Sequence, residues 1–172
     1  YQVLELWIKI LKQVPDSHLI LKHIGLKSKS VRQRFSSLFA EAGIDSTRIQ
    51  LYPFSLTTQE HLSIYHQIDI ALDPFPYNGH ITTYEALWMG VPVVTLKGDR
   101  HFGQVSASLL SILGLEEFIA QTKEEYQHMT LQLAEDKEKL SLLRQTLRAK
   151  MKQSVLYNPI KDIQMIEETY QK

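Results

Sequence analysis

Between residues 68 and 96 the sequence alternates in a way that few supersecondary units accommodate. Ile68-Asp69-Ile70-Ala71-Leu72-Asp73 is a mostly apolar run ending in an acid, and Asn78-Gly79-His80 is a polar turn. Residues 82–89 read as a short helix stopped by Gly90, and Val91-Pro92-Val93-Val94-Thr95-Leu96 is a second apolar run. Strand, loop, helix and strand in that order make a βαβ unit, whose two strands must be parallel because the helix carries the chain back. The loop leaving the first strand then opens at the carboxyl edge of the sheet, where open α/β folds bind ligands. First-turn N–H groups of a helix, nearby hydroxyls and a glycine that admits close backbone approach are the parts of an anion site. Residues 78–85 are therefore expected to hold the phosphates and ribose of a nucleotide.

The rest of the chain repeats the same grammar. Val3, Leu4, Trp7, Ile8, Ile10, Leu11 and Val14 recur at helical spacing, and His18-Leu19-Ile20-Leu21-Lys22 follows as a short strand. Lys27, Lys29, Arg32 and Arg34 form a basic cluster that reads as a solvated loop and helix start. Ser30 is placed to cap a helix with an inward stripe of Val31, Phe35, Leu38, Phe39 and Ala42, stopped by Gly43. Residues 48–52 are a third strand, and Thr57-Thr58-Gln59-Glu60 is a capping box opening a helix to about His66. Beyond Leu96, Lys97-Gly98-Asp99-Arg100-His101-Phe102-Gly103 is another glycine-bearing loop before a helix that Gly114 stops. Residues 117–120 read as a last short strand. Two helices follow: one from Thr122 to about Ala134, one with Leu140, Leu143, Leu147 and Met151 inward. A terminal stripe of Ile160, Ile163, Ile166 and Tyr170 comes after the break at Asn158-Pro159. The alternation specifies an α/β fold with a Rossmann-like, mainly parallel sheet flanked by helices and a helical C-terminal end. One domain is expected over residues 1–172. The chain starts without Met inside a helical pattern, so it is expected to be a fragment of a longer protein.

Charge and composition remove several functions. Nineteen basic and nineteen acidic residues cancel, so nothing global points to nucleic acid or an acidic membrane surface. No apolar run approaches the roughly 20 residues that span a bilayer. There is no cysteine, which excludes disulfides and thiolate metal sites and fits a reducing, cytoplasmic location. Residues 51–120 carry two basic and seven acidic side chains, so a phosphate there needs strong local donors. Asp69 and Asp73 share a face of the strand, yet they lack the two-residue spacing of the usual nucleotide-sugar metal motif, and no metal is expected. The seven histidines show no zinc spacing, and the serine nucleophile elbow, P-loop and Gly-x-Gly-x-x-Gly fingerprint are absent. Glu85 reads equally as the acid of a Thr82-x-x-Glu85 capping box and as a ribose ligand. His61, on the first turn of the capping-box helix, reads on its own as a surface or packing residue. His80 gains little structurally from an imidazole and suits a diphosphate.

Tyr77-Asn78-Gly79-His80 through Thr95, with Gly98-Asp99-Arg100-His101 and Ser106-Ala107-Ser108, resembles the C-terminal half of O-linked N-acetylglucosamine transferases. More closely it resembles their bacterial, tetratricopeptide-associated relatives, and the likeness extends to about Tyr170. The resemblance implies the C-terminal domain of a GT-B glycosyltransferase, metal-independent and inverting, with no cofactor beyond its UDP-sugar donor. It implies diphosphate contacts from His80, Thr82 and Thr83 beside Asn78 and Gly79, ribose binding by Glu85, His61 near the uracil, and the backbone around Leu56 reading the base edge. It also implies transfer of N-acetylglucosamine to protein Ser or Thr hydroxyls, with an N-terminal catalytic half and tetratricopeptide repeats elsewhere in the parent chain. The sequence departs from the family at Ile81 and Thr58, where a threonine and a basic residue are frequent. The family's upstream strand, with an Asn and a diphosphate-binding Lys, is not in these residues, so the chain alone is expected to be inactive and its sheet to lack a central strand. The competing readings are a catalytically silent α/β interaction module and a GT-B-like UDP-sugar epimerase.

Overall fold

The computed structural model describes residues 2–54, 57–157, 163, 167, 169 and 170. The order of elements is α1 (Gln2–Gln13), β1 (Leu19–Lys22), α2 (Lys29–Glu41), β2 (Ile49–Tyr52), α3 (Thr58–Ser63) and β3 (Ala71–Leu72). It continues with α4 (Ile81–Trp88), β4 (Val93–Leu96), α5 (Val105–Ile112), β5 (Ile119–Ala120), α6 (Lys123–Glu135) and α7 (Lys137–Gln153). Every ladder is parallel, as the alternation of helix and strand requires. The strands divide into two sheets, β1–β2 and β3–β4–β5. Leu19 pairs with Ile49, Ala71 with Val93 and Thr95 with Ile119. Leu56, Asn158-Pro159, Ile160 and Ile166 lie outside the described residues, while Ile163 and Tyr170 are helical and exposed.

Local signals place most boundaries. Thr57 and Glu60 close the capping box on α3, and Gly43, Gly90 and Gly114 all take positive φ just past helix ends. Three expectations shift. The α2 cap is Ser28, not Ser30, and its hydroxyl meets Ser30 at 2.9 Å. α3 tightens after Ser63 into a 3₁₀ turn over Ile64–Gln67. β3 keeps only two paired residues, because a strand lasts only as far as its neighbour's backbone runs beside it.

The core lies between the β3–β4–β5 sheet and helices α1, α4, α5, α6 and α7. Val94, Leu87, Leu110 and Ala120 are fully buried, each Leu contributing roughly 1.5–3 kcal/mol by leaving water. Tyr126 of α6 is also fully buried, so its hydroxyl needs partners. Trp7 Nε1 donates to Tyr126 Oη at 3.2 Å, and that hydroxyl donates to the Asp73 carbonyl at 3.1 Å. Helix α1, helix α6 and the end of β3 are thereby locked together directly beneath the loop that follows β3. On the other flank, Arg144 of α7 donates to the carbonyls of Tyr65, Ile68 and Met89, holding both ends of the segment that carries β3 and α4. Among the described residues no helix is long and apolar enough to cross a membrane.

Candidate functional site

The β3–α4 loop is built from the inside outward. Asp73, the residue after β3, is 4% exposed and directs both carboxylate oxygens inward. Gly79 N donates to Asp73 Oδ1 at 2.7 Å, and Thr95 Oγ1 of β4 donates to Oδ2 at 2.6 Å. Burial raises the Asp73 carboxyl to about 6 against the opposing pull of those hydrogen bonds. Ser106 of α5 donates to the Gly79 carbonyl at 3.0 Å. A hydroxyl has one proton, so the 2.9 Å contact between Thr83 and Ser106 is donated by Thr83. There is no room on the loop for a side chain at residue 79: a Cβ there would stand 2.6 Å from Thr83 Oγ1 and 2.7 Å from Thr82 Oγ1.

Helix α4 starts two residues earlier than a Thr82 cap would have it. His80 is the N-cap with φ −129° and ψ −80°, and its side chain caps no backbone amide. The first helical bond runs from Tyr84 N to the His80 carbonyl, so the N–H groups of Ile81, Thr82 and Thr83 have no intrahelical acceptor. His80 and Thr82 are both exposed at the carboxyl end of β3. Glu85 now lies beyond the first turn, and the capping box considered for Thr82 and Glu85 does not form. Instead, Glu85 Oε2 meets His61 Nε2 at 2.7 Å, and the one proton of Tyr65 Oη is shared between the Thr82 carbonyl at 3.3 Å and Glu85 Oε2 at 3.4 Å.

A hollow of about 550 Å³ opens at this edge, lined in part by Lys22, His61, Tyr65, Thr82 and Glu85. That volume falls within the range of small-molecule sites. Lys22 Nζ reaches His61 Nδ1. An ammonium only donates, so Nδ1 is the acceptor and the imidazole proton sits on Nε2, facing Glu85. Both ring nitrogens of His61 are engaged, and its ring meets that of Tyr65 edge-on, with centroids 5.9 Å apart. Both contacts to Glu85 fall on Oε2, which leaves Oε1 turned to neither. Partial burial lowers the Lys22 pKa, opposed by the charges of Glu85 and Glu60. Burial, and then the negative charge of Glu85, raises the Tyr65 hydroxyl well above its usual range.

The structure thus brings His61, Thr82 and Glu85 to one hollow and sets His80 at the helix cap beside them, outside its lining residues. Thr83 and Asn78 turn inward instead. Asn78 is 2% exposed, with Nδ2 donating to the Pro74 carbonyl and Oδ1 buried without a protein partner. Gly79 is held through both its N–H and its carbonyl. Asp69 and Asp73 do not form a pair: the Asp69 side chain is 84% exposed and Asp73 is buried. Sequence reasoning missed Lys22 and Tyr65. Lys22 had a signal, since the last residue of a parallel strand stands at the ligand-binding edge. Tyr65 had none, being one more apolar position in a helical run.

The model of glycosyl transferase family 41 matches residues 1–166. A Petunia hybrida protein named "Probable UDP-N-acetylglucosamine--peptide N-acetylglucosaminyltransferase SPINDLY" is 42% identical over 169 residues, covering 98% of this chain and 18% of that protein. The Caenorhabditis elegans UDP-N-acetylglucosamine--peptide N-acetylglucosaminyltransferase is 32% identical over 141 residues, covering 82% of this chain and 12% of its own length. Among solved structures, the K341M mutant of Thermobaculum terrenum O-GlcNAc transferase superposes with a TM-score of 0.83 at 39% identity. That match covers 88% of this chain and 29% of the solved one. The chain spans less than a fifth of the length of these curated relatives.

Proposed function

The chain belongs to glycosyl transferase family 41, and from that membership we propose that it is the donor-binding domain of a UDP-sugar-dependent glycosyltransferase. The donor is UDP-N-acetylglucosamine, the sugar nucleotide in the relatives' names, and the acceptor is a protein Ser or Thr hydroxyl. The parent protein supplies the remainder of the acceptor side, from a further catalytic half and tetratricopeptide repeats.

The observation that carries this reading is the meeting of a helix N-terminus whose amides no side chain caps with a hollow holding Lys22, His61, Thr82 and Glu85. The unpaired amides and positive end of α4 favour an anion, and His80 and Thr82 stand beside them to bind the diphosphate. Glu85 Oε1 is oriented to accept from a ribose hydroxyl while His61 and Tyr65 hold Oε2 in place. His61 lies against the uracil. Lys22 offsets the local excess of carboxylates. Donors fixed before the reaction stabilise the charge that develops on departing UDP without having to reorganise, which is how such a site accelerates transfer.

UDP titrated into the full-length protein tests the assignment. His80→Ala and Glu85→Ala are each expected to weaken binding severalfold, with melting curves of the free proteins unchanged. Unaltered affinity in both variants would remove these residues from the site.

A further inference from the structure

Loops that approach a phosphate through their backbone must be held rigidly from behind, since any freedom they keep in the empty protein is lost on binding. In this chain the holding is concentrated on one residue. Gly79 gives its N–H to the buried Asp73 carboxylate and takes at its carbonyl the proton of the buried Ser106 hydroxyl. Both supports are themselves anchored: Asp73 by Thr95 on the neighbouring strand, Ser106 by Thr83 on the helix that the loop opens. Asp73 comes from β3, Thr95 from β4, Ser106 from α5 and Thr83 from α4. The clamp therefore joins the four elements that bound the loop. Neither carboxylate oxygen of Asp73 is presented to solvent, so this side chain serves the loop and not the ligand.

We propose that Asp73 and Ser106 are positioning residues that grip the two peptide groups flanking the Gly79 Cα and thereby aim His80 and the first amides of α4 at the donor diphosphate. This rests on the donor-binding reading above. Breaking the clamp removes no ligand-contacting group but lets the loop wander, so donor binding weakens and the donors that stabilise departing UDP are held less well.

The test uses the full-length protein, UDP titration and steady-state kinetics with the UDP-sugar. Asp73→Ala strands two buried donors, the Gly79 amide and the Thr95 hydroxyl, and is expected to weaken UDP binding at least tenfold, about 1.4 kcal/mol. Asp73→Asn keeps an acceptor for Gly79 and can donate to Thr95, so it should restore most of that affinity. Ser106→Ala, a small truncation that keeps the protein measurable if Asp73→Ala does not fold, should weaken UDP binding and raise the donor KM severalfold. Faster hydrogen exchange at the Gly79 amide in both alanine variants would report the loosened loop directly. If the parent binds UDP and the folded Ala variants bind it as tightly, the clamp is refuted while the donor site stands. If the parent binds no UDP, the donor-binding reading falls and takes the clamp with it.

Discussion

Gly90→Ala is expected to lower the melting temperature by roughly 10 °C, the largest stability loss for a single added methyl in this chain. Gly90 follows the last turn of α4 at φ +79°, with its N–H on the Leu87 carbonyl and the Val91 N–H on the Ala86 carbonyl. These are the two bonds of a Schellman stop, in which a side chain costs about 1–2 kcal/mol through its Cβ alone. Space adds a second term. A Cβ at residue 90 would lie 2.5 Å from the Arg144 carbonyl oxygen, which belongs to the backbone of α7 and cannot rotate away. Moving α7 disturbs Leu143, Leu147 and Met151 in the core and adds roughly 1–3 kcal/mol. The sum of about 3 kcal/mol corresponds to roughly 6–12 °C for a domain of this size. Gly43→Ala is the control: φ is +78°, but nothing lies within 4 Å of its Cβ. It should show the conformational term alone, and equal losses in the two variants would mean that the contact with α7 does not matter.

Asp73 makes stability depend on pH in an unusual direction. Its folded value, about 6, is above the 3.8 of an unperturbed carboxyl. Between those values the folded protein holds the proton more tightly than the unfolded chain, so this residue's contribution falls as pH rises and stays lost above about 6. The gap of about two units amounts to about 3 kcal/mol. Asp73→Asn cannot ionise and preserves the shape of the clamp. Its unfolding free energy relative to the parent is therefore expected to improve by about 2.4 kcal/mol between pH 4 and pH 7, measured by denaturant titration at each pH. A difference that stays flat over that interval would show that the buried carboxylate carries no penalty. The natural residue is then retained at a stability disadvantage near neutrality, in keeping with a role in shaping the loop.

Much of this fold was legible residue by residue, because its signals act over one turn of chain. The Thr57 box, the stops at Gly43, Gly90 and Gly114, and the inward stripe of α7 are relations between residues three or four apart. The order of elements likewise determined that the strands would be parallel and that the loop after β3 would open at the ligand-binding edge. Which carboxylate does what was not legible. Glu85 read as well for a cap as for a ligand; it forms no cap, and its Oε2 is engaged by His61, 24 residues earlier in sequence. Thr82 and Thr83 are adjacent and alike in sequence, yet a helix turns about 100° per residue, so one faces the hollow and its neighbour meets Ser106. Lys22 and Asp73 took on their parts because each stands at the carboxyl end of a parallel strand, one in each sheet. The sequence by itself determined the elements, their direction and the place of the loop. Only the tertiary structure decided which side chains meet there, because those meetings depend on strand register and helix rotation, which no local spacing encodes.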